Sequence, residues 1–208
     1  MKKKNLHRVF IHELGHYVAH ELNYELYGFG EIGAIEFVEH NLPNGIDYEG
    51  KTIPKIEIGQ SQNDKLINLP EKIAELVYGC YFQSIFTEMP LKICLDIYNE
   101  SANGYIDAQN IASGLKQFFI NKQRVVLYPF LHEEYFDELK TKTNIFKSLF
   151  EVNHLDYIIK TDFGYKTDLT KLQKLTAEFR AEHKSDFKDF VERIKEIIDW
   201  KKTCNNYV

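Results

Sequence analysis

The sequence predicts an α+β fold that is mainly helical, with a small antiparallel β-sheet, and three observations support this prediction. Apolar residues recur at helical spacing over residues 4–23 and 107–119, and residues 70–86 form a helical pattern that is apolar nearly all round beyond its first turn. Residues 34–48 instead alternate in part between apolar and polar side chains, as a half-buried strand does. A turn signal, Leu42-Pro43-Asn44-Gly45, interrupts this alternation, so two strands of a hairpin are expected around it.

Local signals define the ends of these elements. The first helix is expected to end near Asn23-Tyr24, and a further short strand is expected over Ile53–Ile58. Pro70 in the first turn, followed by Glu71, is typical of a helix N-terminus. Asp107 stands at the start of the third helical pattern, where an acidic side chain caps the backbone or interacts favourably with the helix dipole.

The C-terminal part reads as a helical region appended to, or packed on, the first 120 residues. We expect two amphipathic helices there, Asp168–His183 and Ser185–Trp200. Residues 121–208 carry no motif that indicates chemistry, and His132 beside two acidic residues is typical of a surface. The predicted organisation is therefore a domain over residues 1–120 and a helical region over 121–208.

Composition limits the classes of function. With 208 residues, 44% hydrophobic and 27% charged, the chain is long and apolar enough for a folded core. The net charge of −5 and the absence of a basic stripe argue against a nucleic-acid-binding protein. The sequence contains no run of about 18 apolar residues, so no membrane span is predicted. Three widely spaced cysteines, Cys80, Cys94 and Cys204, predict free thiols, so a cytoplasmic location is expected.

The most informative stretch is His12-Glu13-Leu14-Gly15-His16, an H-E-x-x-H motif inside the first helical pattern. Histidines four residues apart lie on the same face of a helix, so His12 and His16 can both reach one tetrahedral zinc ion. Glu13 can then contact a water on that metal. Apolar neighbours on both sides predict a helix that passes through a core, where charged residues are rarely found without a partner or a role.

Two residues are candidates for a third ligand, and the sequence leaves the choice open. Asp107 follows a loop and opens a helix, and we favour it slightly on that setting. Glu75 is a carboxylate within an otherwise apolar helix. His20 continues the four-residue spacing, but a further step of four carries its side chain around the helix and away from one ion.

The motif region resembles the peptidase domain of FtsH-type zinc metalloproteases. The residues that carry the resemblance are Val9–Ala19, a β segment over Ile35–Tyr48, Ile73–Gly79 and Asn103–Ala112. The resemblance implies a zincin-like helical peptidase core with His12, His16 and Asp107 as zinc ligands. It also implies that Glu13 is the general base. The chain has no phosphate-binding loop and no predicted span, so it would be a stand-alone relative.

A second resemblance is to ImmA/IrrE-type zinc metallopeptidases, which share the segment His-Glu-Leu-Gly-His. That resemblance implies Glu75 as the third ligand. Under either one, the expected function is zinc-dependent hydrolysis of peptide bonds in a protein or peptide substrate, with Glu13 as general base. The alternative is a catalytically inactive protein that keeps the zinc site and acts as an interaction module.

Overall fold

A computed structural model describes residues 2–43, 45–55, 69–98, 104–116, 133–142 and 145–205. The predicted mainly helical α+β architecture with a small antiparallel sheet is confirmed. The elements in chain order are α1 (Lys2–Tyr27), β1 (Ile32–Leu42), β2 (Gly45–Pro54), α2 (Leu69–Thr87), α3 (Leu91–Cys94), α4 (Tyr105–Lys116), α5 (Glu133–Lys142), α6 (Ile145–Phe150), a short 3-10 helix (His154–Tyr157), β3 (Ile158–Thr161), β4 (Gly164–Thr167) and α7 (Leu169–Asn205).

The four strands form one antiparallel sheet in the order β2-β1-β4-β3. In the β1–β2 hairpin, Phe37 lies opposite Gly50 and Ile35 opposite Thr52. On its other side β1 pairs with β4, where Phe37 lies opposite Tyr165. Strand β2 is therefore at the edge of the sheet, and within the described residues no strand pairs with its outer side.

The core is centred on helices α1 and α2. Ile11, Val18 and Leu22 of α1 are fully buried, as expected for a helix that passes through a core. The two helices approach closely at Gly15, where a Cβ would overlap the carbonyl oxygen of Tyr78. Only a residue without a side chain permits this contact between the two backbones.

Helix α7 packs against α2 with aromatic side chains. Phe187 meets the ring of Tyr78 edge to face at a centroid distance of 5.0 Å, and Phe179 meets Phe82 at 5.6 Å. Residues from both halves of the sequence belong to this single apolar cluster. The expected boundary at residues 120–121 lies outside the described residues, as does His132.

Two expectations about local structure are corrected. The predicted break between His183 and Ser185 is wrong, because α7 is continuous and residues 168–200 contain no glycine or proline to end it. A separate strand from Ile53 is also wrong, since β2 runs on through Ile53 to Pro54; residues 56–58 lie outside the described part. The β3–β4 hairpin was not predicted.

In the described ranges no helix combines the length and the apolar character needed to cross a bilayer.

Candidate metal centre

Three donor atoms from two helices converge on one buried point. His12 Nε2 lies 3.0 Å from His16 Nε2 and 3.0 Å from Asp107 Oδ2, and His16 Nε2 lies 3.6 Å from the same carboxylate oxygen. The two histidines are one turn apart on α1, and Asp107 is in the first turn of α4. All three side chains are buried.

The spacing of these donors fits a tetrahedral zinc site. Zinc bonds to histidine nitrogen and carboxylate oxygen are about 2.0–2.1 Å, which places two ligands of a tetrahedron roughly 3.3 Å apart. The observed separations of 3.0, 3.0 and 3.6 Å lie on either side of that value. Two imidazoles and one carboxylate are also a common donor set for zinc that leaves a fourth position open.

The orientation of His16 is fixed from its other ring nitrogen. His16 Nδ1 donates to the main-chain oxygen of Glu75 at 2.9 Å, which leaves Nε2 of the neutral ring free to bind a metal. The ring lies directly on Gly79, where a Cβ would overlap it. By contrast, His12 Nδ1 is buried and has no hydrogen-bond partner within the described residues.

Strand β2 holds Glu13 beside the two histidines. Thr52 Oγ1 donates to Glu13 Oε2 at 2.8 Å, and a Cβ on Gly50 would come within 2.5 Å of Glu13 Oε1. A Glu13 carboxylate oxygen and ring nitrogens of His12 and His16 all lie within 4.8 Å of one another. The carboxylate is therefore close enough to contact a molecule that sits at the metal position.

The carboxylate of Glu75 faces a different set of groups. Its Oε2 lies 3.1 Å from His20 Nδ1, and its Oε1 accepts from Lys72 Nζ at 2.6 Å. His20 Nε2 donates to the carbonyl of Gly30 at 2.6 Å. The structure thus brings Asp107, and neither Glu75 nor His20, to the donor atoms of His12 and His16.

Cys80 is a further group at this centre, and sequence analysis did not identify it as a site residue. Its thiol donates to Asp107 Oδ2 at a sulfur–oxygen distance of 3.7 Å, and Gly104 leaves the room for its sulfur. Burial raises the pKa of the Cys80 thiol well above its usual value, and the Asp107 charge adds to this. No local signal pointed to Cys80, because the sequence around it has no second cysteine or histidine at the spacing of metal ligands.

Strong electrostatic coupling joins Asp107 to the histidines. Burial alone would raise the pKa of the Asp107 carboxyl, but His16 and His12 hold it well below its usual range. Burial likewise opposes a charge on His16, yet Asp107 and its hydrogen bond overcome this and raise the pKa of His16 to about 9. The carboxylate therefore stabilises positive charge at this point, whether a proton or a metal ion carries it.

Comparison with known proteins yielded no relative for this chain. No protein family, no curated protein and no solved structure matches it.

Proposed function

We propose that this protein is a zinc-dependent metallopeptidase. The observation that carries the proposal is the convergence of His12 Nε2, His16 Nε2 and Asp107 Oδ2 at the separations of a tetrahedral zinc site. Glu13 stands next to this donor set, held by Thr52. The resemblance of residues 9–19 to the motif helix of FtsH-type peptidases supports the same assignment.

The residues of this site have separate roles in the proposed reaction. His12, His16 and Asp107 would hold the ion, which supplies Lewis acidity toward the substrate carbonyl and toward a water at the site. Glu13 takes a proton from the attacking water as its oxygen bonds to the carbonyl carbon. Glu13 then delivers this proton to the amine nitrogen as the C–N bond breaks.

The edge of the sheet supports a peptide as the substrate. Strand β2 contacts Glu13 through Gly50 and Thr52, and no described strand pairs with its outer side. An extended peptide can bind such an edge through main-chain hydrogen bonds, without a requirement for particular side chains. A substrate bound there would pass close to the carboxylate of Glu13.

The proposal is tested by hydrolysis of an unfolded protein substrate, with and without a chelator. We expect activity that the chelator removes and added zinc restores. Glu13→Gln should keep zinc and lose about 10²- to 10⁴-fold in rate, the usual contribution of a general base. A variant that cleaves as fast as the parent protein would exclude Glu13 as the base.

One observation favours a second candidate, a zinc site without catalysis in an interaction protein. The Cys80 sulfur lies within 4.8 Å of His12 and Asp107 donor atoms, so a thiolate could fill the fourth position and close the site. Cys80→Ser separates the two functions. A catalytic site keeps its zinc and activity in this variant, whereas a closed structural site loses zinc affinity and is inactive in the parent.

A further inference from the structure

The main-chain oxygen that orients His16 belongs to a residue whose side chain is itself held in place. Glu75 accepts from His16 Nδ1 through its backbone, and its side chain is only 6% exposed. A helix carbonyl is already the acceptor for the amide four residues on, so it receives His16 only if the ring can lie against the helix. Because Gly79 has no side chain, the His16 ring can lie against the helix at this point.

His20 is bonded to acceptors at both of its ring nitrogens. Nδ1 lies 3.1 Å from a carboxylate oxygen of Glu75, and Nε2 lies 2.6 Å from the Gly30 carbonyl oxygen. The Gly30 carbonyl oxygen can only accept, and the Glu75 carboxylate also accepts from Lys72 Nζ at 2.6 Å. Because a histidine donates from both ring nitrogens only as an imidazolium, these two contacts favour an ion pair between His20 and Glu75.

The ion pair of His20 and Glu75 joins three elements one helical turn beyond His16. It links α1 to α2 and, through Gly30, to the segment that enters β1. Both side chains are buried, at 7% and 6% exposure, whereas Lys72 at the outer end is half exposed. Because the desolvation of a buried ion pair offsets most of its attraction, such a pair contributes little net stability.

We propose that His20 and Glu75 are positioning residues for the metal centre. Their ion pair fixes α2 against α1 at the distance where the Glu75 carbonyl oxygen meets His16 Nδ1. Loss of the pair lets the carbonyl move and leaves the His16 ring free to rotate, so the metal is held less tightly. This inference rests on the proposed zinc site and adds two residues that do not touch the metal.

The test uses Co²⁺ in place of zinc, because its visible spectrum reports the geometry of the ligands. His20→Gln and Glu75→Gln should each weaken metal affinity about 10- to 100-fold, as the loss of outer hydrogen bonds to ligands does, and alter the cobalt spectrum. The double variant should lose no more than the larger single loss, because both changes remove one shared interaction. His183→Gln is the matched control, since His183 is also buried and paired with a carboxylate, Asp186.

The outcomes are distinguishable. Wild-type affinity and spectrum in both single variants, or losses that add in the double variant, would overturn the positioning role and leave the proposed zinc site intact. A parent protein that gives no tetrahedral cobalt spectrum would overturn the zinc site itself, and the positioning role with it. The double variant leaves no unpaired charge in the core. If either single change prevents folding, the metal affinity and cobalt spectrum of the double variant therefore test the positioning role.

Discussion

Helix α2 has two faces that meet their neighbours in opposite ways. Toward α1 it presents Gly79 and the main-chain oxygen of Glu75, so the two backbones nearly touch and the His16 ring lies on the helix. Toward α7 it presents Tyr78 and Phe82, which interlock with large aromatic rings. One face holds polar groups at fixed distances, and the other buries apolar area.

This difference separates the tasks of the two faces. The aromatic face supplies hydrophobic stabilisation, which is proportional to buried area and tolerates small shifts. The α1 face supplies geometry, since a metal site fails if its ligands move by a fraction of an ångström. Substitutions on the aromatic face should therefore change stability and spare the metal, whereas those on the α1 face should change metal binding first.

The largest effect is expected on the aromatic face. Phe187 is fully buried against Tyr78, so Phe187→Ala should lower the free energy of unfolding by about 3–5 kcal/mol. Zinc affinity should remain that of the parent at temperatures where the variant is folded. Phe163→Ala is the control, because Phe163 is 82% exposed and its loss should cost under about 0.5 kcal/mol. A Phe187 variant that loses zinc while still folded would contradict the separation of the two faces.

On the face of α2 that meets α1, Gly79→Ala adds one methyl group where the His16 ring lies. We expect a loss of about 1–3 kcal/mol in stability and a loss of zinc affinity, because the ring must move. Gly114→Ala is the matched control, since its Cβ would meet only the end of the flexible Leu69 side chain. Calorimetric titration with zinc measures both variants. Equal affinities in the two would show that the close contact at Gly79 does not position His16.

The pH dependence of zinc binding follows from His16. Asp107 raises the pKa of His16 to about 9 when only protons compete for the site, so zinc must displace one proton below that pH. Zinc affinity should rise about tenfold per pH unit between pH 7 and 9 and then level off. The His16 proton itself stabilises the zinc-free fold below its unfolded value near 6.5, and this contribution disappears as pH rises through about 9. An affinity that is constant from pH 7 to 9 would contradict the coupling of His16 to Asp107.

A smaller effect is expected from strand β2. Thr52→Val keeps the shape of the side chain and removes the hydrogen bond to Glu13 Oε2. The hydrolysis rate should fall about tenfold, the equivalent of ~1.4 kcal/mol for a hydrogen bond to a charged group, with zinc content unchanged. Thr87→Val removes a hydroxyl that bonds to the Gln83 carbonyl at the end of α2, and it should leave the rate as it is.

The structure also shows which features a sequence can predict. The placement of the two histidines depends on the geometry of one helix turn, which puts both on the same face, and their ring centroids lie 4.6 Å apart. The β1–β2 hairpin could be predicted for the same reason, because its turn signal is a local feature of the sequence. The pairing of Glu75 with His20 and the contact of Cys80 with Asp107 depend on how separate helices cross, which no local pattern encodes.

The same distinction between local features and contacts of distant residues explains what the sequence analysis missed or predicted wrongly. The pairing of β4 with β1 joins residues about 130 positions apart, so the short apolar runs around it gave no reason to expect a strand. The predicted break in α7 lay between His183 and Ser185, where the sequence has no glycine or proline. A lone serine does not stop a helix when a long apolar stripe, including Phe179 and Phe187, continues on both sides.

The most direct test of the central claim is the zinc content of three purified proteins. The account predicts one zinc per chain in the parent, almost none in Asp107→Ala, and an intermediate occupancy in Glu75→Ala, whose side chain orients the site without touching it. Full zinc in Asp107→Ala, or a greater loss in Glu75→Ala than in Asp107→Ala, would contradict the assignment of His12, His16 and Asp107 as the ligands.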